Sequence, residues 1–206
     1  MSVIDRLASS LNRRDEVPNQ ELAHEIVLAN DAQAVKELVQ NLTNQRAIQN
    51  DCIKVLYEIG SQQPMLIADY LDEFIAGLHS KNNRLQWGAM TALYTITAIK
   101  PKEIYAALPS ILAAADKGSV ITKDHAVNIL IELGAQADFS EGAFPLLIEQ
   151  LEKSPANQFP MYAERASAII NDNNKSLFVK TLVSKLEFLE KESKRKRVEK
   201  LIKKFR

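Results

Sequence analysis

The chain has 206 residues, of which 26 are basic and 26 acidic, so its formal net charge is zero, and 46 % of its residues are apolar. That apolar fraction excludes disorder as the main state, and the length allows one sizeable domain or two small ones. One cysteine, Cys52, excludes a disulfide framework, and six glycines and seven prolines are too few for a turn-rich β-sandwich.

The stretch from Met1 to Leu7 lacks the apolar run of a secretory signal. No segment approaches the roughly 18 uninterrupted apolar residues of a membrane span. A cytoplasmic chain without a membrane span is the expectation, and the lone cysteine fits a reducing compartment.

In chain order, Ile4, Leu7 and Leu11 predict a short leading helix. Leu22 with Ile26, then Val35, Leu38, Val39 and Leu42, carry the spacing of two further helices. From about residue 45 the chain repeats. Cys52, Ala89, Ala126 and Ala163 stand 37 residues apart and are all small. At the same step come Leu56, Leu93 and Leu130, and then Ile59, Ile96, Leu133 and Ile170. Within one copy, residues 52, 55, 56 and 59 fall at i, i+3, i+4 and i+7, one face of an amphipathic helix. Columns 54 and 58 are largely polar and are expected to face outward.

Each of these helices ends near a breaker: Gly60 then Pro64, Lys100-Pro101, Gly134, and Asn171 to Asn174. A second helix follows in each copy, carried by Leu71, Phe74, Ile75 and Leu78, then by Leu108, Ile111, Leu112 and Ala115. In the third copy Phe144, Leu147, Ile148 and Leu151 play this part, one residue short of the 37 step. Subtracting one step from Cys52 and Leu56 reaches Asp15 and Asn19, so the first 44 residues are out of phase. An atypical end pair is what a capping element requires, since its outer face meets water. The predicted organisation is a helical cap over 1–44, repeats over 45–172 and C-terminal helices over 173–206, as one continuous domain.

The run Leu108-Pro109-Ser110-Ile111-Leu112, then Asp116, then Ala126 through Leu130 to Leu133-Gly134 resembles the HEAT repeats of the armadillo-like helical superhelices. Phe144-Pro145-Leu146-Leu147 repeats the opening, and proline in a helix's first turn removes no intrahelical hydrogen bond. The family's valine-arginine pair is replaced by Ile48-Gln49, Leu85-Gln86 and Thr122-Lys123. The resemblance implies an all-α, right-handed α-α superhelix (a HEAT-like solenoid) of about five helix pairs. It also implies partner recognition over an extended curved surface.

Little in the sequence points to catalysis. His24, His79 and His125 lie in different copies, no metal-ligand spacing occurs, and no glycine-rich phosphate loop is present. Cys52 occupies a column that other copies fill with alanine, which makes it a small core residue. The expectation is therefore a non-enzymatic scaffold or adaptor with no catalytic, cofactor-binding or metal-binding residues. A helical-repeat enzyme acting on damaged bases would need a basic, aromatic-lined concave face, and the acidic second helices count against it.

The candidate partner-binding residues are Trp87, whose column holds Asn50 and Asp124 in neighbouring copies, and the acidic residues Asp69, Asp72, Glu73 and Glu103 of the second helices. Trp87 reads either as an interface anchor or as the cover of a groove between copies. Acidic second helices favour an unknown protein partner with a basic segment, unless they are simply a solvated face.

The last sixteen residues hold nine basic and two acidic side chains, whereas residues 1–190 hold 17 and 24. Among the basic ones are Lys194, Arg195, Lys196, Arg197, Lys200, Lys203 and Lys204. Val198, Leu201, Ile202 and Phe205 give this tail an apolar stripe at helical spacing. Three roles stay open for it: a cap on the last repeat, a nucleic-acid-binding helix, or a helix for an anionic membrane surface or a partner.

Overall fold

A computed structural model describes residues 2–206. Among these residues the secondary structure is helical throughout, with twelve α-helices and no strand. No helix among them is long and apolar enough to cross a membrane. The chain divides into two compact units, residues 1–126 and 127–206.

The first unit opens with a 3-10 turn over Val3–Arg6, then α1 (Val17–Ala29) and α2 (Ala32–Gln40). Their junction is tight because Asn30 adopts the left-handed region at φ 50° and ends α1, while the Asp31 carboxylate accepts the Ala34 N–H at 2.9 Å and starts α2. Helices α3 (Arg46–Gln62), α4 (Leu71–Gly77), α5 (Asn83–Ile96), α6 (Pro101–Ala106) and α7 (Leu108–Lys117) follow, and α8 (Val120–Gly134) begins in this unit. The starts of α3, α5 and α8, at Arg46, Asn83 and Val120, stand 37 residues apart, as the repeat predicts.

Helix α3 is the centre of this unit and packs against α1, α2 and α5. Its Cys52, Ile53, Val55, Leu56 and Ile59 are fully buried. Glycine permits the approach of α5: a Cβ on Gly88 would lie 2.7 Å from Ile53 Cγ1. Asn82 makes a second tie. Its Oδ1 accepts the Arg84 N–H and caps α5, while its Nδ2 donates to Gln49 Oε1 at 3.1 Å and Asn50 Oδ1 at 2.9 Å on α3.

The out-of-phase start has a polar counterpart to the core. Asn19, one step before Leu56, is fully buried; it accepts the Ala8 N–H at 3.0 Å and donates to Asp51 Oδ1 at 2.9 Å. Asp51 Oδ2 accepts the Ser9 N–H at 2.8 Å, so the leading turn is fastened to α3 by hydrogen bonds.

The second unit contains the rest of α8, then α9 (Ala137–Lys153), α10 (Phe159–Ala166), α11 (Lys175–Leu186) and α12 (Glu192–Phe205). Helix α9 packs against α10 and α11, and α12 packs against both α10 and α11. One expectation needs correction here. Leu108-Pro109 does open α7, but Phe144-Pro145 does not open a helix: Pro145 lies inside α9, which begins at Ala137. Proline removes one intrahelical hydrogen bond there. Burial of Ala143, Phe144, Leu147, Ile148 and Leu151 along the same helix offsets that loss.

Candidate interaction surfaces

In the first unit, successive repeat helices carry aromatic rings in tilted pairs. Tyr57 on α3 meets Trp87 on α5 with ring centroids 5.7 Å apart and planes tilted by 48°. Tyr94 on α5 meets His125 on α8 at 5.4 Å and 34°. All four rings are half-buried. Each packs on its neighbour through one edge or face and keeps another in contact with water. Trp87 thus covers the groove between α3 and α5 and remains accessible as well.

An ionic cluster borders the first pair. Lys54 Nζ lies 2.9 Å from the Glu16 carboxylate, 2.6 Å from that of Glu58, and 4.9 Å from the centroid of the Tyr57 ring. Arg84 closes the cluster with an ion pair to the other oxygen of Glu16. Lys54 was expected to face outward, yet its side chain is only 7 % exposed. The reason is this cluster: two carboxylates and a ring face replace the water that the ammonium loses. Burial pulls the Lys54 ammonium toward its neutral form, but its bonds to Glu58, Glu16 and Tyr57 outweigh burial and hold its pKa above that of ordinary lysine. Burial also raises the Tyr57 phenol, partly opposed by Lys54.

Sequence reasoning missed Lys54, Glu16, Glu58 and Arg84 as a group. The i, i+4 spacing of Lys54 and Glu58 is a readable signal; Glu16 and Arg84 come from distant segments and are not. The acidic residues of the second helices have separate settings. Asp69 is paired with Lys100 at 3.0 Å. Asp72 and Glu73 are exposed in the first turn of α4, and Glu103 is exposed in the first turn of α6. Carboxylates in a first turn complement the helix dipole.

Cys52 is fully buried, and burial, with Asp51 and Glu37 nearby, pushes its thiol up to about 12. Such a thiol stays protonated at neutral pH and is a poor nucleophile. Among the described residues no group of His, Cys, Asp and Glu is arranged to hold a metal ion.

In the second unit the basic tail is helix α12. Val198, Leu201 and Ile202 are buried, and Phe205 meets Phe178 of α11 edge-on at 5.7 Å. Two of the tail's cations are held by this unit. Arg197 donates from Nε and a terminal nitrogen to the two oxygens of Glu164 on α10, at 2.7 and 2.5 Å. Lys194 donates to the Asn157 side chain. Arg195 is half-buried. Lys196, Lys200, Lys203 and Lys204 are exposed. Lys185, near the end of α11, is also a fastening residue. Its Nζ donates to the Glu152 and Ser154 carbonyls at 2.8 and 3.0 Å, and burial lowers its pKa.

No protein-family model matches the chain, and no curated protein sequence does. Two crystal structures of engineered proteins, both Northeast Structural Genomics Consortium targets, are similar to it. One has a TM-score of 0.66 and 19 % identity, covering 100 % of this chain and 99 % of the other. The second has a TM-score of 0.64 and 18 % identity, covering 100 % and 97 %. At that identity the likeness concerns fold alone, and the fold is all-α.

Proposed function

We propose that this chain is a non-enzymatic protein-binding scaffold or adaptor of the HEAT-like type, a solenoid whose repeat helices present the partner-binding surface. One observation carries the reading: Tyr57, Trp87, Tyr94 and His125 stand half-buried in two tilted pairs on consecutive repeat helices. Aromatic side chains with few rotatable bonds, fixed before a partner arrives, lose little entropy on binding, and tryptophan and tyrosine are enriched among residues that dominate interface energies. The Lys54 cluster supports the same reading by holding the Tyr57 ring in place.

The test compares capture by the immobilised full chain with capture by Trp87→Ala and by a control, Leu28→Ala, at an exposed position of α1. A partner retained by the wild type and the control, but reduced about tenfold or more by Trp87→Ala at unchanged thermal stability, is the expected result. Equal recovery by all three, or no specific partner from any, removes the assignment.

A further inference from the structure

We infer that the outward face of α12 is a binding surface for the phosphate backbone of duplex nucleic acid, recognised by charge and without regard to sequence. This goes beyond the scaffold reading and does not rest on it. At 100° per residue, Lys196, Lys200 and Lys203 fall at i, i+4 and i+7 on the face opposite Val198, Leu201, Ile202 and Phe205, and Lys204 flanks them. All four lysines are exposed. Lys200, Lys203 and Lys204 form no ion pair with a described residue, and Lys196 has only a loose one, 3.6 Å to Glu192.

The packing of α12 separates this role from the others open to a basic amphipathic helix. A helix that lies in a membrane interface must bury its own apolar face in the bilayer. Here that face is already inside the second unit, fixed by Phe205 on Phe178 and by Arg197 on Glu164. What remains outside is a row of four lysines flanked by the exposed carboxylates of Glu192 and Glu199, which leaves the face net positive. Protein interfaces are depleted in lysine, because its hydrated point charge on a flexible stem gives little geometric selectivity. For a phosphate backbone those same properties suffice: each neutralised phosphate releases condensed counterions, whatever the base sequence. From Lys196 to Lys204 the row runs about 12 Å at about 1.5 Å per residue. Over that distance a duplex presents about seven charges, at about one per 1.7 Å of axis. The row sits on a docked helix, so no folding is needed on binding.

The experiment measures affinity of the full chain for a duplex DNA and a duplex RNA of about 20 base pairs, as a function of salt from about 50 mM upward. Three variants are compared with the wild type: Lys196→Gln/Lys200→Gln/Lys203→Gln/Lys204→Gln, the same four positions changed to Arg, and the control Lys36→Gln on α2. Four phosphate contacts predict a slope of log affinity against log salt of about −3.6. The glutamine variant should lose at least tenfold in affinity and most of the slope, while the arginine variant and the control keep both. Circular dichroism and thermal melts verify that the glutamine variant is folded; were it not, the wild-type slope and the arginine variant still decide. Three results overturn the inference: no duplex binding at low salt, equal binding by the glutamine variant, or binding to vesicles of about 30 % phosphatidylserine without binding to either duplex.

Discussion

Arg197 and Glu164 are joined by two parallel bonds, Nε to Oε1 at 2.7 Å and a terminal nitrogen to Oε2 at 2.5 Å, which tie α12 to α10. The hydrogen bonds from Arg197, set against a smaller burial effect, hold the Glu164 carboxyl below the usual glutamate range. A carboxyl lowered in the folded state stabilises above its unfolded pKa and ceases to do so as pH falls through the folded one. Glu164→Gln should therefore loosen α12 near neutrality and have no effect once the pH is well below about 4. Both side chains are 41–45 % exposed, so the loss is less than about 1 kcal/mol. Amide hydrogen exchange in α12, followed against pH for wild type and variant, checks it.

Lys54 and Tyr57 give the opposite dependence. Both have folded pKa values above the ordinary ones, so their contributions are complete at neutral pH, begin to fall as pH rises past about 10 and are lost only through the higher folded values. Lys54→Met should lower stability near pH 7 by about 1–3 kcal/mol, because Glu16 and Glu58 lose their shared donor. The gap between wild type and Lys54→Met should close in strongly alkaline solution. Denaturant titrations across that range test the sign, and a gap that widens with pH contradicts it.

Cys52 should not react with thiol reagents in the folded protein. Its thiol is fully buried and raised to about 12. Labelling with a chromogenic disulfide should proceed only as the protein unfolds, so its rate should rise with denaturant. Cys52→Ala should cost less than about 1.5 kcal/mol, the scale of small volume changes in a core, since alanine fills the same column at Ala89, Ala126 and Ala163.

Gly88→Ala, in contrast, should be expensive for one methyl group. The new Cβ would meet Ile53 Cγ1 at 2.7 Å and Cγ2 at 3.0 Å, both close to the backbone of a packed helix. Alanine's better helix propensity favours the variant by about 1 kcal/mol, and overpacking opposes it by about 1–3 kcal/mol. A net loss is expected, visible as a lower melting temperature, together with a changed Trp87 fluorescence because Gly88 adjoins that ring.

How much of this was legible in the sequence follows from what each feature depends on. The repeat helices were, since their apolar residues recur at a helical period and at a fixed step from Cys52 to Ala126. The apolar stripe of α12 was legible for the same reason. Helix α6 was not, because Lys100-Pro101 reads as a terminator, while a proline in a first turn also starts a helix. Pro145 misled in the reverse direction. Lys54 was read as solvent-facing because a single column cannot reveal that Glu16 arrives from another part of the chain. Trp87 stood out by its column, but its partner Tyr57 emerges only when α3 and α5 lie side by side.

Asn82 links the start of one helix to the presence of another. One end of its amide caps α5, and the other grips Gln49 and Asn50 of α3. Helix α5 thus takes both its N-terminal cap and a tie to α3 from one side chain. Cutting the chain just before Asn83 would remove both latch and cap, leaving α5 without a template. Shifting α5 by one residue would misplace that latch, and the positions one step away, Gln45 and Ser119, carry no asparagine to rebuild it. A polar side chain at one junction thus fixes the register of α5 against α3.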